Sequence, residues 1–218
     1  MDEVLGIPTL NKEEIRVLGA LMEKSKTTPE NYPLTSNALL LACNQKTSRK
    51  PVVNYSEDLL IQSIDSLKKK GLVSTVVGGG SRVIKYKHNL AIKYPLVPSE
   101  VVVLALLFLK GPLTAGEINN SAGRMYEFES LDEVQQTLNK LAEDPVGYIK
   151  LLPKKAGQKE SRYIHLFSEF NAEDYEQPLA PNAETQASLL DLQQEVQHLK
   201  TELQQLRDEV KEVLALLQ

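Results

Sequence analysis

The residues best suited to contact a partner are the basic side chains of the first 90 residues. They lie before, at the end of and shortly after a predicted third helix, a distribution typical of contacts to nucleic-acid phosphates. The candidates for phosphate contact are Lys46, Arg49, Lys50, Lys68, Lys69, Lys70, Arg82, Lys85 and Lys87. Four polar side chains of the same helix lie off its apolar stripe and are candidates for contacts to base edges, namely Gln62, Ser63, Ser66 and Lys69. Together they form the predicted DNA-binding set.

The sequence contains little that indicates a catalytic site or a metal-binding site. The three histidines, His88, His165 and His198, are scattered over a strand end, a second strand and a C-terminal helix. No spacing of cysteine, histidine and carboxylate residues is typical of a metal site. The glycines at 78–80 precede a predicted strand, whereas a phosphate-binding loop precedes the N-terminus of a helix. We therefore expect no enzyme activity, no metal ion and no cofactor.

The net charge of −4 is unevenly distributed along the 218 residues. Residues 1–90 carry a net charge of +4, residues 91–170 of −1 and residues 171–218 of −7. Only the first segment therefore has the basic balance that favours nucleic acid. Glu57 and Asp58, at the start of the third helix, oppose this interpretation because carboxylates at that position repel phosphate.

Cysteine usage and hydropathy predict the cellular compartment. Cys43 is the only cysteine, so no internal disulfide can form, and its place in an apolar helix predicts a buried thiol. No apolar run reaches the roughly 18 residues that a membrane-spanning helix needs. The acidic start, Met1-Asp2-Glu3, lacks the basic-then-apolar order of a secretory signal. We expect a cytoplasmic protein without a membrane segment.

A helix followed by a hairpin positions the predicted DNA-binding set. Apolar residues recur at helical spacing over 56–70 and predict the third helix. Two β-branched segments, 72–77 and 81–86, flank the glycines and predict a two-stranded wing. Two earlier helices, at about 13–24 and about 35–43, complete a unit typical of winged helix-turn-helix domains.

The same pattern recurs 74 residues later. Ser56, Asp58, Gln62, Ile64 and Leu67 align with Ser130, Asp132, Gln136, Leu138 and Leu141, Glu14 to Leu18 with Glu100 to Leu104, and Pro33 to Thr35 with Pro112 to Thr114. Arg82 recurs as Arg162, and this repetition favours a structural role over DNA contact while leaving both open. The predicted fold is α+β, mostly α, with two tandem winged helix-turn-helix domains at 1–92 and 93–168.

A linker and a coiled-coil helix are predicted after the second domain. Residues 169–188 are acidic and poor in large apolar side chains, which indicates a flexible linker. Over 189–218, apolar residues alternate by three and four, as in a coiled-coil seam. The seam comprises Leu189, Leu192, Val196, Leu199, Leu203, Leu206, Val210, Val213 and Leu217.

The charges beside this seam predict its orientation. A parallel pair of helices sets Glu195 opposite Lys200, whereas an antiparallel pair sets like charges together. We expect a parallel homo-oligomer, most simply a dimer. A trimer stays open, as does a tail that folds back on its own domains or meets another protein.

Several separated motifs resemble the YceH-like family of uncharacterised bacterial proteins. They are Thr27-Thr28-Pro29-Glu30-Asn31-Tyr32-Pro33-Leu34, Ala42-Cys43-Asn44-Gln45-Lys46-Thr47, Ser81-Arg82-Val83, Arg124-Met125-Tyr126-Glu127-Phe128, and Glu160-Ser161-Arg162-Tyr163 with His165-Leu166-Phe167. The resemblance covers roughly residues 10–168. It implies two winged-helix domains and a cytoplasmic protein, and it carries no biochemical activity.

Two functions of different kinds follow from these observations. The first is a non-enzymatic, DNA-associated protein, such as a transcriptional regulator, that contacts DNA through its first domain. The alternative is a protein-interaction adaptor that uses its winged-helix domains and an oligomerising coiled coil to bind an unknown protein. Steep loss of binding with rising salt favours the first function, and indifference to salt favours the second.

Overall fold

Helices account for most of the regular structure, and the strands form two small antiparallel sheets. The computed structural model describes residues 6–77, 83–154 and 160–169. Within them the elements are α1 (Lys12–Thr27), a 3-10 turn (Pro29–Asn31), β1 (Leu34–Thr35), α2 (Ser36–Cys43), α3 (Glu57–Lys69), β2 (Val73–Val77), β3 (Ile84–His88), α4 (Leu90–Lys93), α5 (Pro98–Lys110), α6 (Ala115–Ala122), α7 (Leu131–Glu143), β4 (Ile149–Leu151) and β5 (Tyr163–His165). The predicted α+β, mostly α class is confirmed.

Capping side chains set the starts of the longer helices. Asn11 accepts a hydrogen bond from the Glu14 amide, and the Glu14 carboxylate accepts one from the Asn11 amide, which completes the predicted capping box of α1. At α7 the Ser130 hydroxyl accepts from the Glu133 amide, but the Glu133 carboxylate accepts from Glu129 instead of Ser130. Other helices are capped by Thr35, Ser56 and Thr114.

The three-stranded sheet has the order β1-β3-β2. In it Leu34 lies opposite Tyr86, so the two-residue strand β1 adds an edge to the hairpin of β2 and β3. The second half of the chain repeats this arrangement in reduced form. There β4 pairs with β5, and an isolated bridge joins Leu113 to Tyr163. Each half therefore has the order helix, short extended segment, helix, helix, hairpin.

The first hairpin differs from the sequence prediction in its second strand. β3 runs from Ile84 to His88, whereas the sequence predicts a strand at 81–86. The strand extends to His88 because His88 pairs with Val73 of β2. The His88 amide also donates to the Tyr32 hydroxyl at 2.7 Å, which ties the strand end to the loop after α1. The glycine turn and Arg82 lie outside the described residues.

Helices α1 and α5 lie side by side at the centre of the fold. All residues of 14–22 in α1 and of 99–109 in α5 are buried. The sequence predicts only one inward face for α1, but α2 and α3 cover one side of the helix while α5 covers another. A Cβ added at Gly19 would lie 2.9 Å from the Phe108 Cβ, so the two backbones approach closely there. One compact unit consequently spans residues 1–170.

The predicted boundary between 92 and 93 falls inside α4. The predicted coiled-coil helix at 189–218 lies outside the described residues, as does all of the predicted linker except Glu169. Among the helices that the structure describes, none combines the length and apolar character needed to span a bilayer.

Candidate nucleic-acid interface

The outward face of α3 carries part of the predicted DNA-binding set. Leu60, Ile64 and Leu67 are buried, because their spacing keeps them on the side of α3 that packs on α1. Gln62 and Lys69 lie on the exposed side. This helix therefore presents at least two of its predicted side chains to a partner.

Two serines of α3 differ in their exposure. Ser63 is only 5% exposed, and its hydroxyl donates to the Leu59 carbonyl at 2.8 Å. The prediction that Ser63 faces a base edge is therefore wrong, because the side chain is buried and its hydroxyl already donates to a carbonyl one helical turn earlier. Ser66 is half-buried and lies beside Glu14.

Arg49 is the largest correction to the predicted set. It is 6% exposed, and its guanidinium forms a bidentate ion pair with the Glu23 carboxylate at 3.0 and 2.6 Å. The same group donates to the Ala42 and Ser48 carbonyls and to the Gln45 side chain. The hydrogen-bond donors of Arg49 are therefore occupied by acceptors within the protein. Arg49 holds the loop after α2 against α1 and does not face phosphate.

Five lysines of the predicted set have no such internal partner. They are Lys46, Lys50, Lys69, Lys85 and Lys87, and none forms a side-chain hydrogen bond or ion pair with the described residues. Three of them are exposed, at 46, 50 and 69, whereas the two on β3 are half-buried. Lys85 and Lys87 share one face of β3, because alternate residues of a strand point to the same side.

Acidic residues interrupt this basic surface. Glu57 and Asp58 are exposed in the first turn of α3, where the helix dipole favours carboxylates. Asp65 pairs with Lys68 at 3.3 Å on the exposed side of the helix. The N-terminal turn of α3 is therefore acidic, and the unpaired cations lie towards its C-terminus and on the hairpin.

A carboxylate–lysine pair recurs in both halves of the fold. Glu14 in α1 pairs with Lys70 at 2.7 Å, and Glu100 in α5 pairs with Lys140 at 2.6 Å. Burial alone would raise the pKa of Glu14, but hydrogen bonds from Lys70, Ser66 and the Asn11 amide hold that pKa below its ordinary value. The pair joins the first and third helices of each half, which accounts for Lys70 without any partner molecule.

Arg162 has a structural partner in the second half. Its guanidinium forms a bidentate ion pair with Glu117 at 2.7 and 2.8 Å and donates to the Pro112 carbonyl. In the alignment of the two halves, Ala38 stands where Glu117 stands in the second half. Arg162, the second copy of the repeated arginine, therefore has a structural role.

Among three further side chains with reactive groups, His165 and Cys43 are buried and His88 is half-buried. Burial lowers the pKa of His165 to about 4, and burial with the nearby Lys26 lowers that of His88 to about 4. Cys43 is buried as expected, and burial raises the pKa of its thiol to about 12. Within the described residues, no group of histidine, cysteine and carboxylate side chains has the arrangement of a metal site.

Sequence reasoning does not single out Arg16, although the structure gives it an unusual environment. Arg16 is 3% exposed, its Nη2 donates to the Pro51 carbonyl, and its Nη1 has no acceptor. The sequence does contain an indication that Arg16 is buried, because it is the one charged residue between Ile15 and Met22 in a helix that is otherwise apolar there.

Fold and surface together define an α+β protein of two helix-and-hairpin repeats whose first repeat carries a set of unpaired lysines. The chain belongs to the family described as "Protein of unknown function, DUF480", whose model matches residues 10–158. This match agrees with the resemblance to the YceH-like family.

Relatives in other bacteria extend over most of the chain. A UPF0502 protein of Shewanella pealeana is 43% identical over 212 residues, which cover 90% of this chain and 98% of the relative. A UPF0502 protein of Shewanella halifaxensis is 40% identical over 213 residues, covering 94% and 98%. A UPF0502 protein of Opitutus terrae is 47% identical over 161 residues, covering 73% and 70%.

Proposed function

We propose that the two halves are winged helix-turn-helix domains and that the protein is a non-enzymatic, DNA-associated regulator. The order helix, short strand, helix, helix, hairpin supports this assignment, because winged-helix domains use the third helix and the hairpin to contact DNA. In the first half these are α3 and the hairpin of β2 and β3. A cytoplasmic location is part of the proposal.

The observation that carries the proposal is the set of lysines without internal partners. In the first half, Arg49 and Lys70 are neutralised by Glu23 and Glu14 and Arg16 is buried, whereas Lys46, Lys50 and Lys69 are exposed and can reach outward. Phosphate contacts need this kind of flexible, unpaired cation. Gln62 and Lys69 supply polar groups beside them on α3.

Self-association through the C-terminal seam is a second part of the proposal. A parallel coiled coil over 189–218 brings two first domains onto one DNA molecule, and two copies related by a twofold axis match two half-sites. Each contact then adds to the affinity of the other, because the second binding event becomes intramolecular.

Selection of genomic fragments by the full-length protein at near-physiological salt tests DNA binding. The informative variant carries Lys46→Glu and Lys69→Glu, two exposed positions without internal partners. Arg49 is left intact because its reversal would place two carboxylates together in a buried site. The matched control carries Lys150→Glu and Lys154→Glu, which change the net charge equally at exposed positions of the second half.

We expect the wild type and the control to enrich the same roughly twofold-symmetric site and the Lys46/Lys69 variant to lose it. Affinity for that site should fall steeply with salt, since each phosphate contact releases counterions. Equal enrichment by all three proteins would assign the contact to another surface. The absence of any enriched site in the wild type would remove the regulator proposal.

The alternative function, a protein-interaction adaptor, has its own supporting observation. Val77 and Ile84 are cross-strand neighbours in the first hairpin and are 67% and 50% exposed. Exposed apolar side chains that lie together are typical of protein contacts. If this function is the correct one, the variant with Val77→Ser and Ile84→Ser fails to capture a partner protein from a lysate. The variant with Lys46→Glu and Lys69→Glu then captures that partner as the wild type does.

A further inference from the structure

A groove of about 980 Å³ lies where the two halves of the fold meet. Its walls come from the N-terminal half of α1, the segment 50–55 before α3, the C-terminal end of α5 and the end of β5. The volume is at the upper end of the range of small-molecule sites in proteins. Lys50, Ser66 and Lys70 are members of the predicted DNA-binding set that also line it.

Arg16 is buried beside this groove with an incomplete set of acceptors. Its Nη2 donates to the Pro51 carbonyl, whereas its Nη1 donates to nothing. In the described part of the chain it forms no ion pair. Burial lowers the pKa of Arg16, and the Glu23 carboxylate, which raises that pKa, forms its own ion pair with Arg49. Arg16 has therefore lost water without gaining a paired carboxylate, which is costly. Such a guanidinium can donate hydrogen bonds to a bound anion.

Two other polar groups of the groove form no hydrogen bond or ion pair with the described residues. They are the exposed Lys50 ammonium, whose charge helps to hold the pKa of Glu117 below its ordinary value, and the Tyr55 hydroxyl. The Nδ1 of His165, which lines the groove from the second half, is buried without a partner. Two further lysines of the lining do have carboxylate partners, since Lys70 pairs with Glu14 and the Lys12 ammonium lies 3.9 Å from the Glu13 carboxylate.

The rest of the lining is largely apolar. It includes Leu10, Ile15, Pro51, Val53, Leu107 and Phe108. Of these, Pro51 is exposed and Val53 half-buried, whereas the other four are buried. A ligand that suits this surface has an apolar body, because contact with Pro51 and Val53 removes apolar area from water. A bare inorganic anion would leave both side chains in contact with solvent.

We propose that the groove binds a small organic anion with an apolar body. Arg16 and Lys50 bind the anionic head, the Tyr55 hydroxyl donates to it, and Pro51 and Val53 contact the body. The ligand then lies beside both halves of the fold, since the groove lining also includes Gly111 and Ser168 of the second half. Lys50 also belongs to the proposed DNA contacts, but the two tests are separable because the DNA test leaves Lys50 unchanged.

Calorimetric titration of the full-length protein with three matched probes tests the inference. Octanoate and octyl phosphate carry an anionic head on the same apolar chain, and octanamide carries a neutral one. The informative variants are Arg16→Gln and Lys50→Gln. The control is Lys46→Gln, which removes an equal charge from an exposed lysine outside the groove lining.

We expect at least one anion to bind once per chain with a Kd below about 1 mM, and octanamide to bind at least about tenfold more weakly. Each groove variant should weaken the anion about tenfold, because each removes a charge-assisted hydrogen bond, and Lys46→Gln should bind as the wild type does. The stronger of the two anions identifies the head group as carboxylate or phosphate.

Three results would overturn the inference. They are no saturable binding of either anion, equal binding of octanamide, or undiminished binding by both groove variants. Circular dichroism of each variant establishes that it is folded. Lys50 is exposed, so Lys50→Gln keeps the test decisive even if the loss of the buried Arg16 charge prevents folding.

Discussion

Arg49 shows how a cation in a polar loop becomes part of the protein interior. Its position in a lysine-rich segment suggests a phosphate contact, but its partner Glu23 lies 26 residues earlier in the sequence, on α1. Sequence patterns report local periodicity and capping, whereas this pairing depends on how the loop after α2 folds back onto α1. The lysines beside Arg49, Lys46 and Lys50, form no ion pair with the described residues and stay on the surface as predicted.

We predict that Arg49→Met destabilises the protein by about 3–5 kcal/mol, measured by urea unfolding followed by circular dichroism. The substitution leaves the half-buried Glu23 carboxylate with Lys24, at 3.5 Å, in place of its bidentate partner and leaves the Ala42 carbonyl without the Arg49 donors. Lys50→Met, at the adjacent exposed position, should change stability by no more than about 0.5 kcal/mol. A similar small change for Arg49→Met would contradict this account of the ion pair.

The same ion pair predicts a dependence on pH. Burial alone would raise the pKa of Glu23, but hydrogen bonds and charge from Arg49 outweigh burial and hold that pKa below its ordinary value of 4.5. A depressed carboxyl pKa stabilises the fold above pH 4.5, and this contribution is lost as the pH falls through the folded-state value. The stability difference between wild type and Arg49→Met should therefore narrow below pH 4.5.

At the scale of elements, local signals predict the longer helices and both hairpins. Asn11, Ser56 and Ser130 cap helices where the sequence places them, because a cap and its helix are adjacent in the chain. The strand β1 and the helix α4 have two and four residues, too few for a recognisable period. β1 exists because Leu34 pairs with Tyr86, a contact between distant segments.

The packing of α1 on α5 predicts the effect of filling Gly19. Alanine gains about 1 kcal/mol of helix propensity over glycine. At this site, however, its Cβ would lie 2.9 Å from the Phe108 Cβ and 3.1 Å from Leu109, so the helices must move apart. Overpacking of this kind costs about 1–3 kcal/mol. We expect Gly19→Ala to lower the melting temperature.

Gly116 in α6 provides the matched control for this prediction. A Cβ added there would meet no atom closer than 3.9 Å, so Gly116→Ala keeps the propensity gain without a clash. Thermal unfolding by circular dichroism should therefore show no decrease for Gly116→Ala. Stabilisation by both substitutions would mean that α1 and α5 adjust freely, and the close approach at Gly19 would not constrain the fold.

At the scale of the whole molecule, the duplication is visible in the sequence but the packing of the halves is not. Aligned caps and apolar positions identify two copies of one unit. The burial of 14–22 on more than one side depends on α5, about 90 residues later, and amphipathic periodicity does not report such a partner. The groove follows from the same packing, which explains why Arg16 was not a sequence candidate.

The last prediction concerns self-association of the full-length chain through the seam at 189–218. Leu199→Glu with Leu206→Glu puts four carboxylates into the seam of a dimer, where they are desolvated and repel each other. Gln194→Glu with Thr201→Glu adds the same charge at outer heptad positions. In sedimentation equilibrium we expect the wild type and the outer variant to be dimers and the seam variant to be a monomer. A monomeric wild type would remove the coiled coil as an oligomerisation element, and DNA contact would then rest on a single first domain.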